Sequence, residues 1–308
     1  MHLDGTIPLP GVEGRIDHLA IDTAGQRLFA AALGNNTVEV LDLKARTRVL
    51  QLRDLPEPQG VLFVPAADRL FVSCGGDGTV HIYNGTSLQR IQILHVGEDA
   101  DNLRLDATAQ QVYVGFGSGG LRRMSADGAS LLTIIKLSGH PESFQLESSG
   151  PRIFVNIPDQ RQVAVVDRDT QAALAVWSLK DSLDLRGNFP MALDETHHRL
   201  FIGCRHPARL AVFDTETGKR LTVVPCVGDA DDIFYDAASS MVLVSGGEGR
   251  VDVFDAADTT RISLRSQIST AAGARTSLFA PETSTLYVAV PHRGNQPAEI
   301  RIYRLIRT

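Results

Sequence analysis

The chain has 308 residues, 43% of them hydrophobic and 21% charged, enough for a large buried core and incompatible with a disordered or fibrous protein. Thirty Lys and Arg against 36 Asp and Glu give a formal charge of −6 with no block of like charge, which excludes nucleic acid as a partner because phosphate binding needs clustered cations. No run of 18 apolar residues exists, so no membrane insertion is expected.

From the N-terminus, MHLDGTIPLPGVEG lacks the basic start and apolar stretch of a signal peptide. The compartment stays open between cytoplasmic and, where a leader has been removed, periplasmic or secreted. Next comes IDHLAIDTAGQRLFAAAL: a short apolar strand closed by an acid, a polar turn, then a strand opening on an Arg-Leu-Phe triplet. The same pattern returns in GVLFVPAADRLFVSC, NLRLDATAQQVYVGF, SFQLESSGPRIFVNI, MALDETHHRLFIGC, DIFYDAASSMVLVSG and SLFAPETSTLYVAV. A turn rich in Gly, Asn or Pro follows, then an alternating third strand such as TVEVLDL, TVHIYN, QVAVVDR, RLAVFDT, RVDVFDA or EIRIYRL. Several units add a fourth, as in RTRVLQL, LQRIQIL, RLTVVPC and RISLRSQ.

Period-two alternation with frequent turns describes β-meanders, and four strands in roughly 40 to 45 residues is the signature of a propeller blade. Aligned on their first strands, the units place Asp17, Gln59, Asp101, Glu142, Phe189, Asp231 and Arg275 at one position, spaced by 42, 42, 41, 47, 42 and 44 residues. The longest interval holds Lys180 to Asn188, which reads as an inserted loop. The seventh unit has three strands, and the N-terminal DGTIPLPG resembles a fourth strand. The expectation is an all-β, seven-bladed β-propeller of four-stranded antiparallel blades, a single domain over residues 1–308, with the N-terminal strand completing the last blade.

Units such as RLFAAALGNNTVEVLDLKARTRVLQL and RLFIGCRHPARLAVFDTETGKRLTVVPCVG resemble the YVTN-type repeat, with blades three and seven departing most. One tryptophan, Trp177, and no Trp-Asp dipeptide disfavour WD40 repeats. The resemblance implies a group of seven-bladed propellers that includes lactonases of the phosphogluconolactonase type, streptogramin lyases and quinoprotein-like dehydrogenases. Fold alone does not choose among these chemistries.

In a propeller the head of each first strand and the loop joining the second and third strands meet at one mouth of the channel. The heads read Asp17-His18, Gln59-Gly60, Asp101-Asn102, Glu142-Ser143, Phe189-Pro190 with Asn188 just before it, Asp231-Asp232 and Arg275-Thr276. Loop residues Asn36, Asp77, Arg161, Arg205, His206, Glu248, His292 and Arg293 belong to the same face, each most simply a solvated side chain. Repeated carboxylates at a narrow mouth need compensation, and Arg275, His18, a metal or ordered water would supply it. The bland alternative is that these side chains bond neighbouring blades together.

The expected ligand set is Asp17, His18, Gln59, Asp101, Asn102, Glu142, Asn188, Asp231, Asp232, Arg275, His206, His292 and Arg293, taking a small molecule or a metal ion. A divalent cofactor, Ca, Mg or Zn, would draw on His18, His292, Asp101, Glu142 and Asp231. An enzyme at the same place, a lactonase-type hydrolase or a lyase, would use Glu142 or Asp231 as base, His18 or His292 as acid and Arg275 to hold developing negative charge. A protein-interaction scaffold ranks third, since a scaffold gives no reason for acids to gather at the strand heads. Cys74, Cys204 and Cys226 read as small core residues. The glycine-rich Gly115–Gly120 and Ser245–Gly249 segments read as hairpin turns rather than phosphate cradles.

Overall fold

The structure is a computed structural model that describes residues 1–180 and 182–306; Asp181 of the expected inserted loop, and the terminal Arg307 and Thr308, lie outside the described residues. The fold is a seven-bladed β-propeller, with each blade a four-stranded antiparallel sheet. Among the described residues the only helical elements are four single-turn 3-10 helices.

Blade 1 runs through Leu19–Asp22, Arg27–Ala32, Thr37–Asp42 and Thr47–Leu52. The third blade, weakest in its repeat, still has all four strands, Leu103–Asp106, Gln111–Phe116, Gly120–Ser125 and Leu131–Lys136. In the seventh, His2–Pro8 lies beside Glu299–Arg304 as the fourth strand. Arg186–Asn188, expected within a loop, instead opens the long strand Arg186–Asp194, because Arg186 pairs with His206 and Asn188 with Cys204 across the hairpin.

By packing, the chain divides into two compact units. The first holds Gly5–Pro141 and Pro291–Arg301; the second holds Met1–Asp4, Glu142–Val290 and the residues from Ile302 on. In the first unit Ala20, Phe29 and Val40 of blade 1 pack with Val61, Leu70 and Val72 of blade 2, and blade 2 repeats this against blade 3 through Phe71, Val80 and Val114. In the second unit Phe154 and Val165 meet Met191 and Ile202, and Phe201 meets Ile233 and Val244. Second strands are buried along almost their whole length and third strands along most of theirs, while fourth strands are mostly exposed, so the second strands read as near-continuous apolar runs and the third strands alternate. The three cysteines are buried and unbridged.

The Arg-Leu-Phe triplet has a physical cause. The acid ending the first strand binds the Arg opening the second: Asp22 Oδ2 to Arg27 Nη2 at 2.6 Å, Glu147 Oε1 to Arg152 Nη2 at 2.5 Å, Asp194 Oδ2 to Arg199 Nη2 at 2.7 Å. Each guanidinium then lies over the aromatic ring two residues on, at 5.4 Å for Phe29, 5.3 Å for Phe154 and 5.4 Å for Phe201. Charge pairing and ring contact together make it possible to bury an arginine. The turn before the second strand closes on a left-handed residue in six blades: Gln26, Asp68, Gln110, His198, Ser240 and Ser284, all at φ near +50°. Between third and fourth strands a register shift recurs at the same place, as at Val40/Leu41, Ile82/Tyr83 and Val212/Phe213, and twists the edge strand.

Candidate functional site

The register of the strand heads is fixed by backbone hydrogen bonds. Asp17 N donates to Ala31 O, Asp101 N to Gly115 O and Glu142 N to Asn156 O, and the return bonds run from Ala31, Gly115 and Asn156 to His18, Asn102 and Ser143. The residue in the second strand that faces each head is small or polar in every repeat, Ala31, Ser73, Gly115, Asn156, Gly203, Ser245 and Ala289. Where it is polar it holds the next blade. Ser73 Oγ donates to Asp101 O at 2.5 Å, Asn156 Nδ2 to Phe189 O at 3.0 Å, and Ser245 Oγ meets Ser277 Oγ at 2.7 Å. Gly60 allows the same closeness, since a Cβ there would lie 2.4 Å from Asp101 O.

In the first unit the heads of blades 1 and 3 form one electrostatic cluster. Arg15 Nη2 pairs with Asp17 Oδ2 at 2.5 Å, and His18 Nε2 lies 3.9 Å from Asp17 Oδ1. Gln59 Nε2 donates to Asp99 Oδ1 at 2.7 Å, with His140 Nδ1 at 3.6 Å from Asp99 Oδ2. Asp101 is only 5% exposed, and its Oδ1 has no hydrogen-bond partner; Asn102 Oδ1 is likewise buried and unpartnered. Burial pushes the Asp101 carboxyl from its ordinary 3.8 up to about 7; His18 and Arg15 pull it down, and Asp17 and Asp99 push it further up. The partly exposed His18 and Asp99 carry this cluster out toward solvent. His292 is bound to Glu13, Nδ1 to Oε2 at 2.7 Å, and Arg293 is exposed.

In the second unit the charges are matched. Arg275 Nε lies 2.9 Å from Asp231 Oδ2, and its Nη1 lies 3.1 Å from Asp229 Oδ1. Arg205 Nη2 reaches Asp231 Oδ1 at 2.5 Å and its Nε reaches Asp229 Oδ1 at 3.4 Å, while its guanidinium covers the Phe189 ring at 3.9 Å. Two cations from blades 5 and 7 thus enclose two acids of blade 6. Arg205, expected as a solvated loop residue, is instead the second cation of this network, because Asp231 and the Phe189 face together desolvate it. Asp232 Oδ2 accepts from Ser277 N at 2.7 Å. Asn188 is fully buried, its Nδ2 donating to Asn156 Oδ1 and Gln162 O. Glu142 is half-buried, and His206 is exposed.

The repeat alignment misses three participants, Arg15, Asp99 and Asp229, and places a fourth, His140, near this mouth. Arg15, Glu57, Asp99, His140 and Asp229 all stand two residues before a strand head, where the remaining blades carry Gly187 and Gly273. Glu57, Asp99 and Asp229 share the positive φ of those glycines, so the missed signal is a charged residue at a backbone position that glycine would fill more easily. Among the described residues no three of His, Cys, Asp and Glu come together in a group that could hold a metal ion, and no helix is long and apolar enough to cross a membrane.

No protein-family model matches the chain, and no curated protein matches it. Among solved structures it is similar to a chain in a crystal structure of the mitotic checkpoint complex, at 13% identity and TM-score 0.81, over 98% of this chain and 91% of that one. It is also similar to a chain of Kuenenia stuttgartiensis hydrazine synthase, at 12% identity and TM-score 0.79, over all of both chains. At such identities the likeness shows the propeller fold alone.

Proposed function

We propose that this protein is a YVTN-type propeller that binds a small polar molecule at the strand heads of blades 1 to 3, with Asp101 as the central acceptor and Asp17, His18, Gln59 and Asn102 beside it. The observation that carries this reading is Asp101 Oδ1, a buried carboxylate oxygen with no donor. Burying such a group unpaired costs several kcal/mol, and folds keep that cost where something outside the chain completes the bond. The heads of blades 5 to 7 offer a contrast in charge: Asp231 and Asp229 face the guanidiniums of Arg205 and Arg275, the pattern of a blade-to-blade lock, whereas Asp101 stands in the field of two further acids, Asp17 and Asp99.

The test is a thermal-shift panel of amines, sugars, carboxylates, lactones and phosphate esters at pH 8, on the native chain and on Asp101→Asn. One chemical class raises the melting temperature of the native chain by a few degrees and leaves the variant unmoved. Equal shifts in both proteins, or none in either, overturn the reading.

A second reading, a lactonase-type hydrolase or a lyase at this place, draws on one specific feature: an acid titrating near neutrality in the field of His18 is suited to proton transfer. It requires turnover of a lactone or ester with an inflection near pH 7 that disappears in both Asp101→Asn and His18→Ala.

A further inference from the structure

We infer that the molecule bound at the blade 1–3 heads is a small organic cation, held by a protonated primary amine that donates to Asp101 Oδ1. This rests on the binding site proposed above and assigns its ligand class.

The groups left without partners there are acceptors. Asp101 Oδ1 and Asn102 Oδ1 are both buried and receive no hydrogen bond, so a ligand must bring donors. The charges that act on Asp101 narrow the class further. Asp17 and Asp99 are acids; the cations are Arg15, already paired with Asp17 at 2.5 Å, and His18, whose Nε2 is 3.9 Å from Asp17. His140 faces Asp99 rather than Asp101, at 3.6 Å. Three carboxylates, Asp17, Asp99 and Asp101, stand against the single guanidinium of Arg15, and an anionic ligand would add to the excess. A neutral polyol supplies donors but leaves the buried charge uncompensated. A divalent ion needs several ligating oxygens, and no such group exists among the described residues. An ammonium group meets both needs, with three donors and one positive charge.

The same chemistry makes binding proton-linked. Protonating Asp101 removes the charge the amine pairs with. Affinity for an amine therefore falls about tenfold between pH 8 and pH 6, the change expected for one acid titrating midway between them.

Three probes of matched shape test this: butylamine, butan-1-ol and butyrate, followed by ligand-observed NMR and calorimetry on the full chain. Butylamine binds saturably with a Kd in the millimolar range, as expected for a handful of heavy atoms. The alcohol and the acid do not bind, and the amine weakens about tenfold at pH 6. Asp101→Asn abolishes binding while its circular dichroism and unfolding transition show that it folds. The variant Asn102→Ala, which keeps the acid, weakens the amine without removing its pH dependence. If butan-1-ol or butyrate binds in an Asp101-dependent way and butylamine does not, the cation class is wrong and the site stands. If butylamine fails while another class in the thermal-shift panel depends on Asp101, the outcome is the same. If the amine binds equally well to Asp101→Asn, or no compound of either set depends on Asp101, both the ligand class and the site are overturned.

Discussion

Arg275 reaches from blade 7 to Asp231 of blade 6, Nε to Oδ2 at 2.9 Å, and Arg205 of blade 5 takes the other oxygen of the same carboxylate at 2.5 Å. One acid thus ties three successive blades. A single guanidinium removed from such a network leaves partly buried carboxylates facing each other, and the loss exceeds that of a surface pair. Arg275→Ala is expected to lower unfolding free energy by roughly 1–3 kcal/mol. A double-mutant cycle with Asp231→Ala, read by denaturant unfolding, returns a coupling of about 1 kcal/mol or more.

Asp101 gives the pH dependence a sign. Its folded carboxyl titrates at about 7 against an ordinary 3.8, so between those values the folded chain keeps a proton that the unfolded chain has released. That contribution is complete below about pH 4, is lost as pH rises through 7, and stays lost above. Asp101→Asn is therefore expected to be more stable than the native chain at pH 8, by roughly 2–4 kcal/mol, and little different at pH 4. The difference between the two proteins is the quantity to follow, because His81, whose pKa burial and the neighbouring Arg90 lower, contributes to both. A variant that is less stable at pH 8 would mean that the carboxylate is held by bonds rather than left uncompensated.

Asn156 sits fully buried in the second strand of blade 4, donating to Phe189 O and Pro190 O of blade 5 and accepting from Asn188 Nδ2. Asn156→Ala strands those backbone oxygens and opens a small void. Chemical denaturation should report a loss of roughly 2–4 kcal/mol, and Asn156→Ser should recover part of it, since the corresponding position of blade 2 is Ser73.

Gly60→Ala places a methyl group 2.4 Å from Asp101 O and 2.5 Å from Ser73 Oγ. Neither backbone nor hydroxyl can give way without parting blades 2 and 3. A loss of about 2 kcal/mol is expected, together with weaker ligand binding at Asp101, which the thermal-shift panel would record.

Cys74, Cys204 and Cys226 are buried, and burial pushes each thiol up to about 12. A thiol reagent at pH 8 should therefore modify none of them in the folded chain and all three in denaturant. Modification that outruns unfolding would place a cysteine in a cleft.

The blades were legible because their cause is local. Alternation and turn residues fall within a few residues and recur seven times, and the acid-to-arginine pairing behind the Arg-Leu-Phe triplet is equally local in the three blades that have it. The strand heads were legible for the same reason, since one alignment position carries Asp17, Asp101 and Asp231 together. What each head does was not, because it depends on neighbours from other blades. Asp231 and Asp101 share a repeat position and a residue type, yet two guanidiniums, Arg205 and Arg275, face the first while two further acids, Asp17 and Asp99, act on the second. Arg205 looked like a loop residue because its acidic partners lie more than twenty residues away. The left-handed turn residues were hidden because Gln26, His198 and Ser240 stand where glycine would have announced the conformation.

The exposed fourth strands leave every blade with an outer border that can still accept another strand. Blades 1, 2, 3, 5 and 6 each carry an Arg or Lys on that border, Arg48, Arg90, Lys136, Arg220 and Arg265, whereas Ala173–Ser178 of blade 4 and His2–Pro8 of blade 7 have none and expose Leu174 and Val176 in the one and Leu3 in the other. Such cationic gatekeepers oppose sideways zipping between sister molecules, so crowding or salting-out will start self-association at the fourth and seventh blades, and lysines placed at Val176 and Leu3 are the economical remedy.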